Sequence, residues 1–221
     1  MKLLGRQHDR RRGGRVRDRL VWQASSLLLA YPDDGHTRRL DTVEQLLALM
    51  ASGARDTLDA TYRFLRDTDP HTAAEVYVDT FDLRRRTTLY LTYWTSGDTR
   101  NRGNDILRFA HTYRSAGVQP PGDESPDHLA VLLEFAATVD PAAGMELMRL
   151  HRVPIGLLHE ALTAARSPYG HVLDAVCDTL PMPTGHDEKR ARDLALAGPP
   201  VEAVGLQTFT LTVPPRREGA G

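Results

Sequence analysis

An all-α fold, a single-domain helical bundle, is what this sequence predicts, on three observations. Apolar residues recur at i, i+3 and i+4 through most of the chain, the spacing of one helix face. Clusters of Pro, Gly and Asp interrupt those runs where helices would stop and start. Neither internal repeats nor alternating strands occur, so α/β and sandwich folds are poor fits.

Composition narrows the class. A chain of 221 residues with 41% hydrophobic content can bury a real core. No apolar run reaches the roughly 18 residues of a membrane span, so stable membrane insertion is not expected. Cys177 is the single cysteine, which excludes an intrachain disulfide and paired-thiolate zinc; its place on an apolar helical face reads as a buried structural thiol. Residues 1–19 carry eight basic side chains against two acidic, which leaves 20 basic and 27 acidic from Leu20 onward, a net of −7. An acidic body favours basic partners over nucleic acid.

Each element follows in order. Residues 1–15 are rich in Arg and Gly without periodicity and read as a disordered, solvated arm in preference to an RNA or membrane tether. The Arg pair ahead of LVWQASSLLLAY superficially resembles an export signal, but Gln23, Ser25 and Ser26 interrupt the apolar run and no A-x-A pattern precedes Pro32. A helix over about 16–30 is the better reading, stopped at Tyr31-Pro32-Asp33-Asp34-Gly35. Leu40, Val43, Leu46, Leu47 and Met50 mark a second helix over 36–50, and Leu58, Tyr62 and Leu65 a third over about 55–66. Pro70 suits a first turn, with Ala73, Val76, Tyr77 and Phe81 continuing the pattern. A break near Asp82 is expected, then a central helix over about 83–95 with Leu83, Thr87, Tyr90 and Trp94 on one face.

Ser96-Gly97-Asp98 reads as a turn in which Asp98 caps a helix to about Ser115, with Ile106, Leu107, Ala110 and Tyr113 inward. Residues 117–126, with three prolines, form a loop between two halves of the bundle. Asp127 opens DHLAVLLEFAATVD, where Leu129, Leu132, Leu133 and Ala136 pack inward and Glu134 is either on the rim or paired with an Arg. Helices over about 142–151, 155–166 and 169–180 follow, then a charged, weakly packed one over 187–197. Residues 198–221 read as a flexible tail holding a short extended segment, GLQTFTLTV.

Tests for catalysis come out negative. His159-Glu160 lacks the second His of a zinc-protease motif, since Thr163 stands there. Gly97 to Gly103 lacks the Lys-Ser/Thr ending of a phosphate loop, there is no G-x-S-x-G elbow, and His128, His151, His159 and His171 have no zinc spacing. No enzyme, metal or cofactor is expected. Arg84-Arg85-Arg86 spans most of a helical circumference and reads as a solvated face with one ion pair to Asp79 or Asp82.

YVDTFDLRRRTTLYLTYWTSGDTRNRG over 77–103, followed by SPDHLAVLLEFAATVD, closely resembles the NarJ-type assembly chaperones of respiratory nitrate reductase, a branch of the TorD-like molybdoenzyme chaperones. With LVWQASSLLLAYPDD the likeness covers roughly residues 20–180. It implies a non-catalytic, cytoplasmic helical bundle that binds the immature catalytic (alpha) subunit of nitrate reductase and its N-terminal peptide, so that the molybdenum cofactor can be inserted. A chaperone for a different molybdoenzyme, or a factor that handles the cofactor itself, is the alternative. The residues that the likeness marks for client binding are Tyr77, Phe81, Asp82, Arg86, Tyr90, Tyr93, Asp98 and Arg100 in the first motif, and Asp127, His128 and Glu134 in the second. Aromatic members are expected to pack or wall a groove, and carboxylates to orient or pair with a basic peptide. A surface kept apolar for a client also makes self-association possible.

Overall fold

The computed structural model describes residues 16–97 and 99–200, and among them every regular element is a helix. Helix α1 covers residues 16–28 and α2 His36–Ala48; the Tyr31–Gly35 turn between them is held by Asp33, whose carboxylate accepts from Gly35 N at 2.7 Å and pairs with Arg39 at 2.8 Å. Ser25 and Ser26, which interrupt the apolar run of α1, are buried, and Ser26 Oγ donates to Ala130 O at 2.8 Å. Helix α3 is Ser52–Asp67 and buries Leu58, Thr61 and Leu65, while Tyr62 is only half-buried. Helix α4, Pro70–Tyr77, starts as its proline predicts, capped by Asp69 accepting from His71 N.

A wide π turn at Val78–Asp82 then ends the helical run, closed by Leu83 N to Val78 O at 3.1 Å. The expected helix over 83–95 is not formed. A single 3-10 turn at Arg85–Thr87 is followed by extended backbone, and α5 is only Leu91–Ser96. Leu83, expected inward, is 71% exposed. Two causes combine. Thr87 Oγ1 donates to Thr80 O and Arg84 O, tying a tight turn that competes with helix. Residues 89–91 also find better partners across the molecule, with Leu91 N donating to Asp127 O at 3.1 Å and Leu129 N to Leu89 O at 2.9 Å. Arg84, Arg85 and Arg86 are exposed as expected, but among the described residues no ion pair joins them to Asp79 or Asp82.

Helix α6 is Asn101–Ser115 and buries Phe109, Ala110 and Tyr113; Leu107, expected inward, is 58% exposed, and Phe109 takes its place. The Asp98 cap, the 1–15 arm and the GLQTFTLTV segment lie outside the described residues. Helix α7, Leu129–Thr138, packs on α8, Pro141–Leu150, so closely that a side chain on Gly144 would collide with Ala136. Glu134 is on the exposed rim. Helices α9 (Arg152–Ala164) and α10 (Gly170–Thr179) complete the main core, in which Leu28, Leu58, Leu133, Leu158 and Val172 have no exposure. Each such Leu contributes about 2 kcal/mol through burial.

Helix α11, Gly185–Ala197, stands apart from that core. It opens on a capping box, Thr184 with Asp187, and buries no residue fully. Ala191 and Leu194 lean on a second small cluster of Trp94, Val153 and Leu157. The chain then turns at Gly198 and reaches Pro200, whose carbonyl sits where a side chain on Gly97 would be. Gly97 has φ +57 and ψ −152, backbone that suits glycine alone.

Candidate functional site

The two segments that break the helical pattern meet. Residues 89–91 and 127–129 lie side by side, joined by the bridge between Tyr90 and His128. Beneath it Asp127 is fully buried and well bonded: Oδ2 accepts from Thr92 N at 3.1 Å and Thr92 Oγ1 at 2.6 Å, and Oδ1 from Ser125 Oγ at 2.5 Å. Tyr113 OH donates to the neighbouring Pro126 O at 2.8 Å. Asp127 therefore acts as a bracket that fixes the start of α5 against the loop before α7.

Above this bracket is a cavity of about 210 Å³. Tyr77, Phe81, Leu89, Tyr90 and His128 form its walls, with Tyr31, Asp82 and Glu124 at its edge. Aromatic rings continue from the wall into the core: Tyr77 meets Tyr31 edge-on at 5.4 Å and Phe81 at 4.8 Å, and Phe81 meets Tyr169 at 4.8 Å. Tyr31 also borders a second depression of about 440 Å³, with Glu75 and Asp79 on its lining. Four carboxylates, Glu75, Asp79, Asp82 and Glu124, thus flank one aromatic floor. Arg102 lies over the Tyr90 and Tyr93 rings at 5.5 and 5.9 Å, bracing the outer side of that wall.

Burial governs the site's protonation. It holds His128 below the usual histidine range, against the opposing pull of Glu124, Asp127 and Asp82. The His128 ring meets Tyr90 at 5.3 Å, its Nε2 is 3.9 Å from Glu124, and its Nδ1 is buried without a hydrogen-bond partner. Tyr90 is pushed up to about 12, first by burial and then by the Glu124 charge. Burial likewise raises Tyr77 on the cavity wall, and Tyr169 behind it in the core, so the Tyr77 hydroxyl stays protonated and offers a donor, not an anion, to anything that enters.

Of the residues marked in the sequence, the structure brings together Tyr77, Phe81, Asp82, Tyr90 and His128, with Asp127 under them. It does not bring the others there. Arg86 lines a separate hollow beside Trp94 and Leu157, Tyr93 is half-buried beside Arg102 without lining the cavity, Arg100 is exposed, and Glu134 faces solvent on α7. Asp98 is not described. Tyr31 and Glu124 were not singled out from the sequence. Tyr31 had a signal, as the aromatic residue ahead of a helix-stopping proline, whereas Glu124 sits in a loop with no periodicity to mark it. Among the described residues no group of His, Cys, Asp and Glu is placed to hold a metal ion, and no helix is long and apolar enough to cross a membrane.

By its described residues this is an all-α protein with an aromatic pocket edged by carboxylates. The chain belongs to the nitrate reductase delta subunit family, whose model matches residues 47–174. It is 58% identical over 160 residues to the nitrate reductase-like protein NarX of Mycobacterium tuberculosis H37Rv, a match covering 72% of this chain; the chain spans only 24% of that relative's length. It is 30% identical over 164 residues to the Bacillus subtilis protein assigned as NarJ, a nitrate reductase molybdenum cofactor assembly chaperone, covering 73% of this chain and 88% of that one. The Escherichia coli K12 chaperone of the same name is 29% identical, over 67% of this chain and 64% of its own. In fold the chain is similar to a candidate redox enzyme maturation protein from Archaeoglobus fulgidus, with a TM-score of 0.55 at 22% identity, covering 72% of this chain and 91% of the other.

Proposed function

We propose that this chain is a non-catalytic, cytoplasmic assembly chaperone for the catalytic subunit of nitrate reductase. It binds the apo subunit, chiefly through that subunit's N-terminal peptide, and keeps it open for insertion of the molybdenum cofactor. The observation that carries this reading is the cavity itself: an aromatic floor of Tyr77, Phe81 and Tyr90 edged by Asp82 and Glu124 suits a basic peptide with apolar anchors. Relatives assigned as nitrate reductase molybdenum cofactor assembly chaperones support the choice of client.

The anchors supply the affinity and the carboxylates the orientation. A bulky apolar side chain of the client enters between Tyr31, Tyr77 and Tyr90, and its flanking cations reach Asp79, Asp82 and Glu124. His128, held neutral by burial, adds no repelling charge near pH 7.

Maturation in cells tests this. In a strain lacking the chain, nitrate reductase should accumulate without molybdenum, and the wild-type chain should restore it. A Tyr77→Ala and Tyr90→Ala double variant that is present at normal level should fail to restore it. Full molybdenum content in the deletion strain would overturn the reading.

A further inference from the structure

We propose that the cavity between α9, α10 and α11 is a second binding site, for a small molecule with an apolar body and a single anionic head that Arg152 receives. This site is separate from the aromatic cavity and does not depend on the client reading.

Three observations carry it. First, the space is there. The cavity has a volume of about 570 Å³, within the roughly 300–1,000 Å³ of small-molecule sites. Val153 and Gly156 of α9, Cys177 of α10 and Ala191 of α11 line it, with Pro183 from the link between the last two helices. Burial pushes the Cys177 thiol up to about 11, so that wall is uncharged near neutral pH.

Secondly, a donor is left over inside it. Arg152, in the first turn of α9, lines the cavity, and its Nη1 is buried without a hydrogen-bond partner. Among the described residues it makes no ion pair. A guanidinium buried without a counter-ion is costly, and an anion carried in on an apolar body removes that cost. The neighbouring charges select the kind of anion. Glu160 and Glu188 are exposed at the rim beside Arg192, and Asp187 is engaged in the cap of α11, accepting from Thr184 Oγ1 at 2.7 Å. These carboxylates repel a polyanion such as a nucleotide far more than a monoanion.

Thirdly, Gly156 keeps the cavity open. It lies inside α9, where glycine is unfavourable, and a Cβ built there meets no atom within 4 Å. Gly144 differs, since its Cβ would strike Ala136. No close approach therefore demands the glycine at 156; what its missing side chain leaves is room in the cavity. Helix α11 covers the site lightly, burying no residue and resting on Trp94, Val153 and Leu157 through Ala191 and Leu194, so a ligand beneath it adds contacts that α11 lacks.

Fluorescence titration of the full chain with anilinonaphthalene sulfonate, an apolar monoanion, tests the site. Saturable one-to-one binding is expected, displaced by decanoate and not by ATP. Arg152→Met should weaken it at least about tenfold. Gly156→Leu, which fills the cavity while improving the helix, should abolish it. Both variants should keep the urea midpoint of the wild type, and hydrogen exchange of the α11 amides should slow when decanoate is bound. No saturable binding, binding that either variant leaves unchanged, or displacement by ATP as readily as by decanoate would overturn the proposal.

Discussion

At the scale of single residues, Asp127 and His128 show how neighbouring positions in one motif divide the labour. Asp127 is a carboxylate with no exposure, satisfied by Thr92 and Ser125, so its role is to hold the cavity's base together. Asp127→Ala leaves the Thr92 and Ser125 donors unpaired, and we expect a loss of about 3 kcal/mol, read from the urea midpoint. His128 and His151 are both held below the ordinary histidine range by burial. The unfolded chain takes up protons at these positions as pH falls through about 6.5, while the folded chain resists, so stability is full above that pH and declines below it. Each histidine contributes up to about 1.4 kcal/mol per pH unit in that window. Urea midpoints between pH 5 and 8 should fall on the acid side, and His151→Gln should make the fall shallower.

At the scale of elements, most helices were legible because the i, i+3, i+4 spacing needs nothing beyond the chain itself. Pro70 and Pro141 each open a helix behind an Asp cap, as local chemistry dictates. The central segment was not legible in that way. Leu83, Thr87, Tyr90 and Trp94 share a helical spacing, yet the backbone at 89–91 is claimed by residues 127–129, some 40 positions away, and no local pattern records that pairing. The same long-range pairing builds the candidate site, so the place where periodicity failed is the place where the cavity lies. Two element-level expectations follow. Thr184→Ala removes the capping box of α11 and should cost about 1 kcal/mol locally; hydrogen exchange of α11 amides should speed up while the urea midpoint stays put. Gly144→Val should cost more, about 2 kcal/mol of the global stability, because the added side chain meets Ala136 at the contact between α7 and α8.

At the scale of the whole molecule, fold class and family were readable from two motifs and their order, whereas the site was readable only in part. The aromatic and acidic residues of the first motif converge with His128 of the second, but Arg86, Tyr93, Arg100 and Glu134 share the motifs without sharing the cavity. Motif membership follows from chain position; cavity membership follows from the pairing of residues 89–91 with 127–129, and Glu134, on the solvent face of α7, has no part in it. Charge acts over the same scale. From Leu20 onward the chain carries a net of −7, and with Glu75, Asp79, Asp82 and Glu124 on one face a basic client should be steered to it, more weakly as salt screens the field.

The central claim, that this acid-rimmed aromatic cavity receives the client, is tested most directly by calorimetric titration of the full chain with the N-terminal peptide of the nitrate reductase alpha subunit under reducing conditions. The account predicts saturable one-to-one binding at low salt that weakens as salt rises. It also predicts at least about a tenfold loss of affinity in an Asp82→Lys and Glu124→Lys variant that keeps its urea midpoint. No binding at low salt, or equal binding by the variant, would contradict it.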